Sequence, residues 1–280
     1  MPAVEDNAAH CMAMVRAADA DRYLSVLYAP AEKRPALFAL YAFNVETARI
    51  RDLVSEPMPG EIRLQWWKDA VSGTGDPAAL GNPVIAALRA SMERWALPSE
   101  PLERLCEARV FDLYDDPMPD RTALEGYCGE TASALIQLAG LVLDASAARE
   151  AADASGHAGV AQCIAGLLRL LPLHRRRGQL YFPPEILGAA GLDRETFLRG
   201  DDRAAAASAI KAMVALGREH YARFNELRRE LDPAIRPAFL PAMMTPAYLD
   251  RIEREGAEML DRTVALLPIR RQWLMLKAGF

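Results

Sequence analysis

Apolar residues recur along most of the chain at spacings of three and four, the period of an amphipathic helix. Val, Ile and Thr rarely cluster or alternate with polar residues as a half-buried strand would require, and Ala, Leu, Arg and Glu dominate. The pattern predicts an all-α protein. Over residues 34–53, Leu37, Tyr41, Val45, Ala48 and Asp52 share one helix face, mostly apolar and ending in a carboxylate. A similar stripe over residues 159–178 carries Cys163, Gly166, Leu170 and His174, with Arg169 one step round the helix and Pro172 placed to bend it. Gly178 after Arg175, Arg176 and Arg177 reads as a helix stop, because Gly tolerates the left-handed cap and cations suit the negative helix end.

Breakers cut the chain into intervals of one or two bundle helices: Pro30, residues 55–60, 73–77, 98–101, 115–119, 153–156, 178–184, 188–191, 232–233 and 237–246, and Pro268. None is long or low in complexity enough to be a linker, so one continuous helical domain over residues 1–280 is expected. Rossmann, P-loop and nucleophile-elbow glycine motifs are missing, and no repeat of 20 to 50 residues is present, which removes those architectures.

With 33 basic against 38 acidic residues, a net charge of −5, the chain has no general electrostatic reason to bind nucleic acid. No apolar run approaches the roughly 18 residues of a spanning helix, and Glu5, Asp6, His10, Arg16 and Asp19 interrupt the amino-terminal stretch, so neither a membrane span nor a secretory signal is expected. The expected location is cytoplasmic and reducing. Cys11, Cys106, Cys128 and Cys163 form no C-x-x-C pair and have no His at ligand spacing; they read as small core residues, not as a zinc site or disulfide framework.

Several blocks carry a resemblance. Leu37-Phe38-Ala39-Leu40-Tyr41-Ala42-Phe43 is followed by Arg63-Leu64-Gln65-Trp66-Trp67-Lys68-Asp69. Asp112-Leu113 is followed fifteen residues later by Tyr127-Cys128, and then comes Arg177-Gly178-Gln179-Leu180-Tyr181-Phe182-Pro183. In order and spacing these resemble the squalene/phytoene synthase family over most of the chain. The resemblance implies the all-α isoprenoid synthase fold, in enzymes that join two prenyl diphosphates head to head using Mg²⁺.

That chemistry needs two carboxylate clusters, because diphosphate leaves only when several Mg²⁺ ions held by hard oxygen ligands neutralise it. Both are damaged here. Placed on the family pattern, the first D-x-x-x-D falls on Ala48 and Asp52, so one carboxylate of the pair survives. The second motif falls on Cys163, Gly166, Arg169, Leu170 and His174, where only the Arg remains. Arg49, Arg51, Arg169 and His174 would repel cations from the same space. No resident metal or cofactor is therefore expected. Asp112, Asp115 and Asp116 also spell D-x-x-x-D, but Pro117 ends a helix there, and the spacing to Tyr127 assigns Asp112 to a different family position.

A retained scaffold without its aspartates, together with residues 55–67 and 240–251, is similar to the non-catalytic branch of the family, the complex I (NADH dehydrogenase) assembly factor 6 proteins and their bacterial relatives. This implies an assembly or interaction factor for a respiratory membrane complex, peripheral on the inner face of the membrane. A second reading is an enzyme acting on farnesyl or geranylgeranyl diphosphate, with a Mg²⁺ site rebuilt from Asp52, Asp112 and Asp116. A third is a metal-independent binder of prenyl diphosphate or lipid, in which Arg49, Arg51, Arg169, His174 and Arg177 replace metal charge with fixed charge. Tyr41, Trp66, Tyr127 and Tyr181 either line an apolar pocket or are core aromatics, and Asp52 is expected to pair with Arg49 or Arg63. The run over residues 269–280 mixes large apolar side chains with cations, as a last bundle helix, a partner-docking helix or an interfacial membrane segment would.

Overall fold

The computed structural model describes the backbone of residues 2–279 and the side chains of residues 5–278. Its elements are helices throughout, and no strand occurs among the described residues. Local chemistry sets the boundaries. Asn82 caps the helix Pro83–Trp95 by accepting from the backbone N–H of Val84 and Ile85, with Pro83 at the first helical position where its missing N–H costs nothing. Gly73, at φ 81°, closes Pro57–Ser72, and Gly178, at φ 74°, follows Leu171–Arg176, each in the left-handed region.

Two apolar clusters organise the packing. In the first, Pro2–Ala18, Arg34–Ala48 and Pro83–Trp95 pack on one another around Leu37, Leu40, Phe43 and Leu88, and Phe224 stacks on Phe239. In the second, Ala152–Arg169, Arg203–Leu227 and Thr245–Glu255 bury Ile164, Leu168, Ile210, Met213 and Leu249. Met243 touches both. Glu100–Arg109 and the run from Arg121–Cys128 through a π-helical turn, Gly129–Ser133, into Ala134–Leu143 join the halves.

Three expectations are corrected. The helix begun at Arg34 ends at Ala48 and tightens into a 3₁₀ turn, Ile50–Leu53, so that Asp52 N–H bonds Arg49 C=O and the carboxylate rides a narrower turn than an α-helix gives it. Residues 153–156 do not break the chain, since Ala152–Arg169 runs straight through them. Three residues further on, Gly159 serves packing, since a Cβ on it would lie 2.3 Å from Ser133 Cα, and Ser133 Oγ donates to Gly156 C=O at 2.8 Å. Residues 55–60 open a helix, Pro57 being its first residue. Pro172 does interrupt its helix, at Leu170.

All four cysteines are free; Cys11, Cys106 and Cys128 are buried, and burial pushes the thiols of Cys11 and Cys106 up to about 12. Cys163 departs from the core reading, because it is half-buried and faces a cavity.

Candidate functional site

Between the two halves lies a cavity of about 520 Å³. All five positions of the altered aspartate motifs line it: Ala48 and Asp52 from one segment, Gly166, Leu170 and His174 from another. Arg51, Arg169, Arg177, Tyr127 and Tyr181 join them. Three of the anion-binding and pocket candidates do not. Arg49 turns outward and pairs with Glu46 at 2.7 Å. Trp66 stands 39% exposed on the outer side of its helix while its neighbour Trp67 is buried against Phe43, since adjacent helical residues point about 100° apart. Tyr41 is buried behind the lining, with the Arg22 guanidinium 5.5 Å from its ring centroid.

The rebuilt metal site is also corrected. The helical turn ends at Leu113, so Asp115 and Asp116 fall in an irregular, exposed stretch, and Asp116 lies outside the cavity. Asp112 is committed elsewhere: Oδ1 accepts from Tyr181 Oη at 2.6 Å and Tyr127 Oη at 2.8 Å, Oδ2 from Arg109 at 3.1 Å, and its backbone carbonyl from Gln179. Burial and the neighbouring Asp112 charge hold the Tyr181 phenol well above its ordinary range. Asp52 is bridged by Arg177, in place of the Arg49 or Arg63 expected.

The sequence reading missed a second charged group. Asp21, from the helix Ala20–Val26, accepts from Tyr248 Oη at 2.7 Å and lies 2.6 Å from Arg271 Nε and 3.8 Å from Arg169; Arg169 stacks over the Tyr248 ring at 3.9 Å. Asp19 pairs with Arg22 at 2.7 Å. The only early signal was the tight charged cluster Asp19-Ala20-Asp21-Arg22. Six lining arginines thus face four lining aspartates: Arg22, Arg51, Arg109, Arg169, Arg177 and Arg271 against Asp19, Asp21, Asp52 and Asp112. Burial and the Arg177 charge push His174 down to about 4, leaving it neutral near pH 7, with its ring centroid 4.8 Å from that of Tyr181.

The residues present do not fit a Mg²⁺ cluster. Every lining carboxylate is paired with a guanidinium, the excess charge is positive, and among the described residues no three His, Cys, Asp or Glu side chains come together to hold an ion. No step that depends on such an ion follows from this cavity.

A helical bundle around a central cavity, with these motif positions on its wall, defines the class of isoprenoid synthase folds. A dehydrosqualene synthase crystal structure superposes with a TM-score of 0.82 over 98% of this chain and 96% of that one, at 17% identity. The chain belongs to the squalene/phytoene synthase family, whose model matches residues 15–272. Within it, the chain is similar to the NADH dehydrogenase (ubiquinone) complex I, assembly factor 6 homolog of Drosophila melanogaster, 31% identical over 98% of this chain and 85% of that protein. It is also 30% identical to the assembly factor 6 of Homo sapiens, over 93% of this chain and 79% of that one.

Proposed function

We propose that this protein is a non-catalytic member of its family that assists assembly of a respiratory membrane complex, complex I, from the inner face of the membrane. The observation that carries the reading is the Asp52–Arg177 bridge: the one motif carboxylate retained is neutralised by a guanidinium. The similarity to assembly factors supports the same assignment. A paired assay tests it. Purified protein with Mg²⁺ and farnesyl or geranylgeranyl diphosphate should release no diphosphate beside an active family member. Removing the gene should lower assembled complex I, and Asp52→Ala should restore it as well as the unaltered chain does. Turnover, or a normal level of the complex without the gene, overturns the proposal.

A second reading, a metal-independent binder of a diphosphate or anionic lipid, is favoured by the cationic excess of the cavity and by Gln162 Oε1 and Thr245 Oγ1, lining atoms with no protein partner. Binding that persists in excess chelator supports it. Membrane contact is assigned to the helix Pro268–Gly279, which exposes Ile269, Trp273 and Leu276 beside Arg270 and Lys277. Phe280, the end of that run, lies outside the described residues. No described helix is long and apolar enough to cross a membrane.

A further inference from the structure

Away from the cavity, His157 of Ala152–Arg169 and His220 of Arg203–Leu227 face each other with Nδ1 to Nδ1 at 3.0 Å and ring centroids 5.1 Å apart. The outer nitrogen of each ring faces a carboxylate: His220 Nε2 lies 3.1 Å from Glu125 Oε1, and His157 Nε2 lies 3.7 Å from Asp153 Oδ1. A neutral imidazole carries one N–H; Glu125, at hydrogen-bond distance, draws that of His220 to Nε2 and leaves its Nδ1 an acceptor, while Asp153, at 3.7 Å, is beyond hydrogen-bond reach of His157. The two Nδ1 atoms converge at 3.0 Å, close enough for a single cation set beside the N–N line to be bound by both. Arg121 and Arg223, set against Glu125, Glu219, Asp153 and Glu226, leave the surrounding ion-pair network two negative charges in excess.

We propose that His157 and His220 form a binding site for a late first-row divalent metal ion, with Glu125 orienting the His220 ring. At a metal–nitrogen length of about 2.0–2.1 Å, two donors are about 2.9 Å apart at a right angle and about 3.4 Å apart at the tetrahedral angle. The observed 3.0 Å suits the right angle, which Cu²⁺ favours; Zn²⁺ needs a small opening of the pair. Among the described residues no third His, Cys, Asp or Glu completes the set, so the remaining positions belong to water, and the 30% exposure of the His157 side chain leaves an approach for the ion. The ion would staple together the two longest helices of the second half, one of which carries Cys163, Gly166 and Arg169 into the cavity.

The test uses the full chain without a histidine tag. Titration with Cu²⁺ should show one equivalent bound with the electron paramagnetic resonance signature of two imidazole nitrogens, and Zn²⁺ should raise the melting temperature. His157→Gln or His220→Gln should each weaken binding at least roughly tenfold and abolish the melting shift, while Glu125→Gln weakens it by about tenfold through loss of ring orientation. His10→Gln and His174→Gln, which remove the other two histidines, should leave binding unchanged. His157 is partly exposed on a long helix, and far-UV circular dichroism checks that its variant folds. Binding that survives His157→Gln, or none tighter than about 100 µM (about −5.5 kcal/mol at 25 °C), overturns the proposal and leaves an N–H···N hydrogen bond between the rings.

Discussion

Tyr181 Oη donates to Asp112 Oδ1 at 2.6 Å across 69 positions of sequence. The contact ties the extended segment after Gly178 to the 3₁₀ turn Val110–Leu113, and Tyr127 and Arg109 meet the same carboxylate. Two of the blocks that carry the family resemblance therefore meet at a buried hydrogen-bond centre, which gives them a reason to be present independent of any metal chemistry.

Asp112→Ala would leave two phenols and a guanidinium buried without their acceptor. The expected loss of stability is about 3–5 kcal/mol, against about 1.5–3 kcal/mol for Tyr181→Phe, which removes one bond to a charged group. Urea midpoints at constant slope measure both. A loss from Asp112→Ala below that from Tyr181→Phe would contradict this account.

Asp52 is different in kind. Its side chain is 47% exposed and meets one partner, Arg177, so Asp52→Ala should cost under about 1 kcal/mol. Because Ala48, Asp52, Leu170 and His174 line one cavity, the triple variant Ala48→Asp, Leu170→Asp, His174→Asp puts four carboxylates there. It should gain a melting-temperature rise in millimolar Mg²⁺ that the unaltered chain lacks. Equal responses of the two would show that these positions do not converge.

What could be read from the chain was what helical period controls. Residues three and four apart share a face wherever the helix continues, which brought Gly166, Leu170 and His174 to one wall. Period gives no absolute phase for two adjacent tryptophans, so Trp66 was placed inward when only Trp67 is. It is silent too on where a helix tightens, which hid the 3₁₀ turn Ile50–Leu53 that carries Asp52. Asp21 and Arg271 meet from near opposite ends of the chain, and a single charged residue carries no local mark of its distant partner.

Gly159 sits where the helix Ala152–Arg169 crosses the π-helical turn, and Ser133 Cα and Oγ would each be 2.3 Å from an added Cβ. Much of that obstruction is backbone and cannot rotate away. Gly159→Ala should destabilise by at least about 1–3 kcal/mol through overpacking. Gly166, on the same helix with nothing within 4 Å of its Cβ position, should gain roughly 0.5–1 kcal/mol as Ala from helix propensity. Thermal or urea unfolding of the pair separates packing from propensity, and a shared sign would refute the distinction.

His174 makes the cavity wall sensitive to acid. Its ring is 8% exposed, and burial takes its pKa from 6.5 down to about 4 in the folded chain. The unfolded chain therefore binds this proton more tightly. Above about pH 6.5 neither state is protonated and the group contributes no pH dependence; as pH falls toward 4 the unfolded state is favoured progressively; below 4 both states are protonated and the loss levels off. The full shift corresponds to at most about 3 kcal/mol. Other carboxylates titrate in the lower part of this window, so the informative quantity is the difference between the unaltered chain and His174→Gln, measured by urea unfolding from pH 7.5 to 4.5. The unaltered chain should lose stability faster than the variant between pH 6.5 and 4.5. Parallel curves would mean that His174 gains compensating contacts with Asp112 or Asp52 when charged, and that the neutral ring is not what the folded cavity requires.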